Sequence, residues 1–73
     1  MNKEIMYTLG RNIKAERVRK ALTQEELAEA INMSLSHISK IEQGLTSPTA
    51  IAIYKISKVL EIPMENFFIN IKI

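Results

Sequence analysis

Four side chains between Leu35 and Gly44, those of Ser36, His37, Lys40 and Gln43, recur at spacings that a helix gathers on one side, and each carries a hydrogen-bonding group. Ile38 and Ile41 fall on the opposite side. A hydroxyl, an imidazole, an ammonium and an amide in this pattern suit recognition of polar edges in a groove of duplex DNA. They do not form a catalytic set. The chain shows no paired carboxylates, no nucleophile with a base and no glycine-rich phosphate loop, so no enzyme activity is expected. Glu25 and Glu26 are adjacent and point to different sides of a helix. His37 is the single histidine and there is no cysteine. Disulfides and thiol chemistry are thereby excluded, and neither a metal site nor a cofactor is expected.

That face needs two short helices to hold it. Thr23 and Glu26 form a T-x-x-E capping box, which predicts a helix opening at Gln24 with Leu27, Ala28 and Ile31 on its inner side. Asn32 tolerates the left-handed conformation that stops such a helix, and Met33 turns back toward the core. Ser34 is the next N-cap candidate, Ile38 and Ile41 set the buried side of the second helix, and Gly44 ends it.

This arrangement resembles the phage-repressor and Cro-like (Cro/C1-type, XRE) helix-turn-helix family, through TQEELAEAINMSLSHISKIEQG and the preceding LGRNIKAERVRKAL. The likeness places Gln24 at the opening of the first motif helix and Ala28 at the tight crossing point. It makes Leu27, Ile31, Met33, Ile38 and Ile41 core, and closes on I-E-x-G. It implies an all-α, compact five-helix repressor-like domain over residues 1–68, with the motif at 24–43 and a C-terminal tail at 69–73. Ala21, Asn32 and Glu61 stand where the family commonly has glycine at helix ends.

The other segments read as scaffold. Leu9, Ile13 and Arg17 are spaced by four in a first helix predicted from about Ile5 to Lys20, and Leu35, Ile38 and Glu42 turn Glu42 inward. Arg17 and Glu42 are therefore expected to form a buried salt bridge, and the resemblance implies the same pair. Ser47-Pro48 predicts an N-cap and first turn for a helix with inner stripe Ala50, Ile53, Ile56, Ser57 and Leu60. Pro63 opens a short helical turn carrying Met64, Phe67 and Phe68. The tail alternates Ile69, Ile71 and Ile73 with polar residues, a period of two that suits a strand, paired with a second copy, docked on its own chain, or frayed. Ile51, Val59, Phe68, Ile69, Ile71 and Ile73 form the expected homodimer interface.

Length and charge fit one small DNA-binding unit. Seventy-three residues allow a single domain with limited buried surface, so oligomerisation would help its stability. Ten basic and eight acidic residues leave a net charge of +2, with Lys3, Arg11, Lys14, Arg17, Arg19 and Lys20 all in the first twenty positions. Neither a secretion signal nor a membrane-spanning run is read from the sequence, and a cytoplasmic location is expected. Side chains at the start of a groove-inserted helix reach base edges, which nominates Leu35, Ser36 and Lys40. Leu35 offers only apolar contact, most naturally to a thymine methyl, and Lys40 favours guanine O6 and N7. Phosphate contacts fall to Gln24, Ser34, His37, Thr46 and Ser47, although the loop holding Thr46 and Ser47 lacks the cations that relatives often carry there. So few cations predict weak binding by one copy at physiological salt. The expected function is a sequence-specific transcriptional repressor, binding a near-palindromic operator as a homodimer. The alternative is a protein-interaction module that keeps the scaffold without binding DNA.

Overall fold

In the computed structural model, which describes residues 2–72, the chain forms helices α1 (Lys3–Arg19), α2 (Gln24–Ala30), α3 (Leu35–Glu42) and α4 (Ala50–Leu60), followed by a 3₁₀ helix (Met64–Phe68). The fifth expected helix is thus a five-residue 3₁₀ turn, too short after Pro63 to build an α-helical ladder. α1 starts two residues earlier than expected because Asn2 caps it, its Oδ1 accepting from Ile5 N at 2.8 Å.

Each later α-helix also opens on a hydroxyl. Thr23 and Glu26 make both halves of the capping box, at 3.0 and 2.9 Å, and Ser34 Oγ accepts from His37 N at 3.1 Å. α4 is capped by Thr49, whose Oγ1 accepts from Ala52 N at 3.0 Å, and not by Ser47. Pro48 is buried ahead of the helix, which leaves the extended residue Thr49 as the capping hydroxyl. The inner stripe shifts with it: Ala52, Ile53, Ile56, Ser57 and Leu60 are buried, whereas Ala50, the first helical residue, is exposed beyond the end of the core.

All four α-helices end in the same way. The residue after the last turn takes the left-handed conformation, at φ 58 for Ala21, 56 for Asn32, 76 for Gly44 and 55 for Glu61. In each case two backbone N–H groups then reach back to carbonyls of the last turn, as Asn32 N does to Glu29 O at 3.2 Å and Met33 N to Ala28 O at 2.9 Å. Ala21 and Glu61 hold this conformation against a steric cost that glycine does not carry. Ala21→Gly and Glu61→Gly are each expected to raise stability by up to about 1 kcal/mol, since both side chains are exposed and little packing is lost. Urea unfolding with an unchanged m-value is the check; an unmoved midpoint in both variants would count against the cost assigned to these turns.

The core is one cluster: Leu9 and Ile13 from α1, Leu27, Ala28 and Ile31 around α2, Ile38 and Ile41 from α3, Ile53, Ile56 and Leu60 from α4, and Phe67. Phe67 is fully buried, while its neighbour Phe68 is 40% exposed. α1 packs against α3 and the 3₁₀ helix, and α2 packs against α3 and α4.

No strand forms among the described residues. The tail folds back onto its own chain, because Asn12 Nδ2 donates to Phe67 O at 2.9 Å and to Ile69 O at 2.8 Å. Asn70 then turns at φ 64, and Ile71 packs on the edge of the core. A side-chain amide thus takes the carbonyl at the start of the tail, that of Ile69, which a strand would have offered to a partner strand. Ile73 lies outside the described residues.

Candidate nucleic-acid interface

The elements that aim α3 meet at one buried carboxylate. Arg17 donates from Nε to Glu42 Oε2 at 2.7 Å and from Nη2 to Glu42 Oε1 at 3.0 Å, and its Nη1 reaches Leu22 O at 2.6 Å. Gln24 Nε2 completes the set, donating to Glu42 Oε1 at 3.0 Å. Arg17 is 7% exposed and Glu42 4%, so the pair lies largely out of water. One network therefore ties α1, the turn after it, the first residue of α2 and the last residue of α3 together. Bidentate geometry fixes an angle as well as a distance, which a single hydrogen bond would not.

Gln24 belongs to this network as well as to the surface. One of its amide hydrogens is engaged by Glu42, and the half-buried side chain keeps the other for an external acceptor.

Along α3, Leu35, Ser36 and Lys40 are exposed and His37 is half-buried. Ser34 has its oxygen engaged as the N-cap acceptor. Gln43, on the same polar face, is pinned back to Ser39, at 2.9 Å to Oγ and 3.1 Å to the carbonyl. Among the described residues Lys40 enters no ion pair, so its ammonium is free for a ligand. Thr46 is half-buried and Ser47 exposed in the loop that leads to α4, and Ser47 Oγ is 3.5 Å from Pro48 O.

Two neighbours of this surface are absent from the sequence-based site. Arg11 lies over the Tyr7 ring, 5.6 Å from its centroid, and donates to the Tyr7 hydroxyl at 3.2 Å. Tyr7 backs directly onto Gly44, where a Cβ would stand 2.7 Å from the Tyr7 Cα. The backbone of α1 at Tyr7 is therefore packed on the residue that ends α3, and Arg11, one turn further along α1, is an exposed cation stacked on that tyrosine. The signal in the sequence is the Tyr7/Arg11 spacing of four on α1. The second is Leu45, 67% exposed and next after Gly44, which ends α3.

Among the described residues there is no group of three or more His, Cys, Asp or Glu that could hold a metal ion, and no helix is long and apolar enough to cross a membrane. Two short capped helices at a fixed angle, the second with a free polar face, define a helix-turn-helix protein. The chain belongs to the helix-turn-helix family HTH_3, which residues 13–67 match. It is a family of DNA-binding transcriptional regulators. The chain is 33% identical over 64 residues to the "transcriptional regulator in ATPase CF(0) region" of Rhodospirillum rubrum, covering 88% of this chain and 59% of the relative. It is 42% identical over 53 residues to the HTH-type transcriptional regulator YazB of Bacillus subtilis, covering 73% of this chain and 77% of the relative. Among solved structures, the restriction-modification controller protein C.AhdI of Aeromonas hydrophila superposes with a TM-score of 0.83 at 25% identity, over 86% of this chain and 96% of that one.

Proposed function

We propose that the protein is a sequence-specific repressor that binds a near-palindromic operator in duplex DNA as a homodimer, with α3 in the major groove. One observation carries this reading. Every buried side-chain polar atom described has a partner within the fold, while Ser36 and Lys40 on α3 are exposed and uncommitted. Polar groups that the fold does not use, on a helix held by a buried network, are what base recognition requires. In this reading Leu35, Ser36 and Lys40 face base edges. Gln24, Ser34, His37, Thr46 and Ser47 face the sugar-phosphate backbone, and Arg11 adds a cation to that set. Such work belongs in the cytoplasm.

Pairing of two copies supplies the cations that one lacks. The protein measures 31 × 23 × 20 Å, so two copies meeting along an edge can hold their recognition helices about 34 Å apart, one turn of DNA. Ile51, Phe68 and Ile69 are 67%, 40% and 55% exposed, Val59 and Ile71 are half-buried against the core, and in this reading these five supply the apolar contact. The names of the relatives as transcriptional regulators, and of C.AhdI as a controller protein, support a regulatory role.

Selection of bound sequences from random duplex DNA tests the proposal. The expected winner has two inverted half-sites with centres one helical turn apart, bound with a steep salt dependence. Failure to enrich any motif, with a shallow salt slope, would leave a protein-interaction module on the same scaffold. On the selected site, Lys40→Ala is expected to relax preference at one base position and to cost about 1–3 kcal/mol in binding. Equal weakening on all sequences would make Lys40 a phosphate contact.

A further inference from the structure

Leu35 is the apolar residue that the fold leaves unused where polar contacts are expected. It is the first residue of α3, it is 43% exposed, and it belongs neither to the core cluster nor to the side chains packed at its edge. Its neighbours are accounted for otherwise: Ser34 is occupied as the cap, Ser36 is exposed, and Met33, the apolar residue before the cap, packs on the core. Leu35 is thus an exposed apolar side chain in the first turn of the helix, outside the core. On the DNA-binding reading above, that turn is the part that meets base edges.

The major-groove edges of the four base pairs present hydrogen-bond donors and acceptors and one apolar group, the C5 methyl of thymine. A leucine pressed on a donor or acceptor strips its water and returns no hydrogen bond, which is a cost. Pressed on a methyl, it buries apolar surface on both sides. Unmodified cytosine shows its N4 amino group and a bare C5 there, whereas 5-methylcytosine carries a methyl at the same ring position as thymine. We infer that Leu35 reads the C5 methyl of a pyrimidine, so that the protein recognises thymine and 5-methylcytosine at one position of each half-site and its binding there responds to cytosine methylation. This inference rests on the DNA-binding reading and adds the chemical class of the base that the tip of α3 selects. Leu45, although more exposed, follows the helix and lies away from its first turn.

The test uses the full chain and the operator obtained by selection. Each thymine is replaced in turn by uracil, which removes the methyl and leaves every hydrogen-bonding group in place. At one position per half-site the replacement is expected to weaken binding about four-fold, the effect of one buried methyl group. Leu35→Ala is expected to bind the thymine and uracil forms equally at that position, while Leu35→Met, which keeps an apolar tip, retains discrimination. With a C·G pair placed at that position, C5 methylation of the cytosine is expected to restore binding by a similar factor in the parent protein and not in Leu35→Ala. Circular dichroism and thermal midpoints of both variants confirm that an exposed position was changed without loss of fold. If no uracil position distinguishes the parent from Leu35→Ala, or if methylation leaves affinity unchanged, the inference is overturned while the selected operator still stands. If selection yields no operator, the DNA-binding reading fails, and this inference with it.

Discussion

Arg17→Met is expected to lower the stability of the fold by about 3–5 kcal/mol, because it leaves the Glu42 carboxylate buried with one remaining donor, the Gln24 amide. An exposed ion pair would lose only about 0–1 kcal/mol on the same change. The difference lies in burial: both side chains are nearly sealed from water, so the orphaned charge cannot be rehydrated where it stands. Domains of this size have a total stability of about 4–11 kcal/mol, so a parent at the low end of that range would leave the variant partly or largely unfolded at 25 °C. Urea titration followed by circular dichroism gives the value. A loss below about 1 kcal/mol would mean that water reaches Glu42 and that the network contributes little. The double variant Arg17→Met with Glu42→Leu is expected to recover most of the stability, since an apolar pair of similar volume carries no desolvation cost. DNA binding should not recover with it, because Gln24 then has no carboxylate to tie α2 to the end of α3. Full recovery of both properties would limit the ion pair to filling space.

This brace was legible in the sequence because a helix period runs on past the apolar residues: four residues after Ile13 comes Arg17, and four after Ile38 comes Glu42. Two charges of opposite sign, each on the extension of a buried stripe, have few ways to be satisfied except by each other. The capping box and the Ser34 cap were legible for a related reason, since both are local and need no tertiary partner. Where several hydroxyls stood together, local chemistry was insufficient. Ser47 and Thr49 are both competent caps, and the burial of Pro48 decided between them. The tail shows a similar limit. Its period of two describes which faces alternate, but a strand also needs a neighbour, and the acceptors at Phe67 and Ile69 are taken by Asn12, fifty-five and fifty-seven residues away. The polar face of α3 could be read from spacing alone, whereas the packing of α1 at Tyr7 on the residue that ends α3 shows only in the fold.

Gly10 is the position where sequence reading was least informative and the expected consequence is among the largest. Within a helix, glycine reads only as a cost of about 1 kcal/mol relative to alanine, which would make Gly10→Ala a stabilising change. The packing reverses that sign. A Cβ at Gly10 would collide with the carbonyl oxygen of Ile41 and stand 2.8 Å from that of Glu42. These are backbone atoms in the last turn of α3, so no rotamer change can clear them, and α1 and α3 must move apart. Overpacking of this kind costs about 1–3 kcal/mol, and we expect a net loss in that range for Gly10→Ala. Because the displaced element is α3 itself, operator affinity should fall at temperatures where the variant is still folded. Ala15→Gly supplies the contrast, since Ala15 is exposed on the same helix: it should lose about 1 kcal/mol through helix propensity and bind DNA as the parent does. If Gly10→Ala proved neutral or stabilising, α1 would not be pressed on the end of α3, and the angle of the recognition helix would depend on the Arg17, Glu42 and Gln24 network without that close approach.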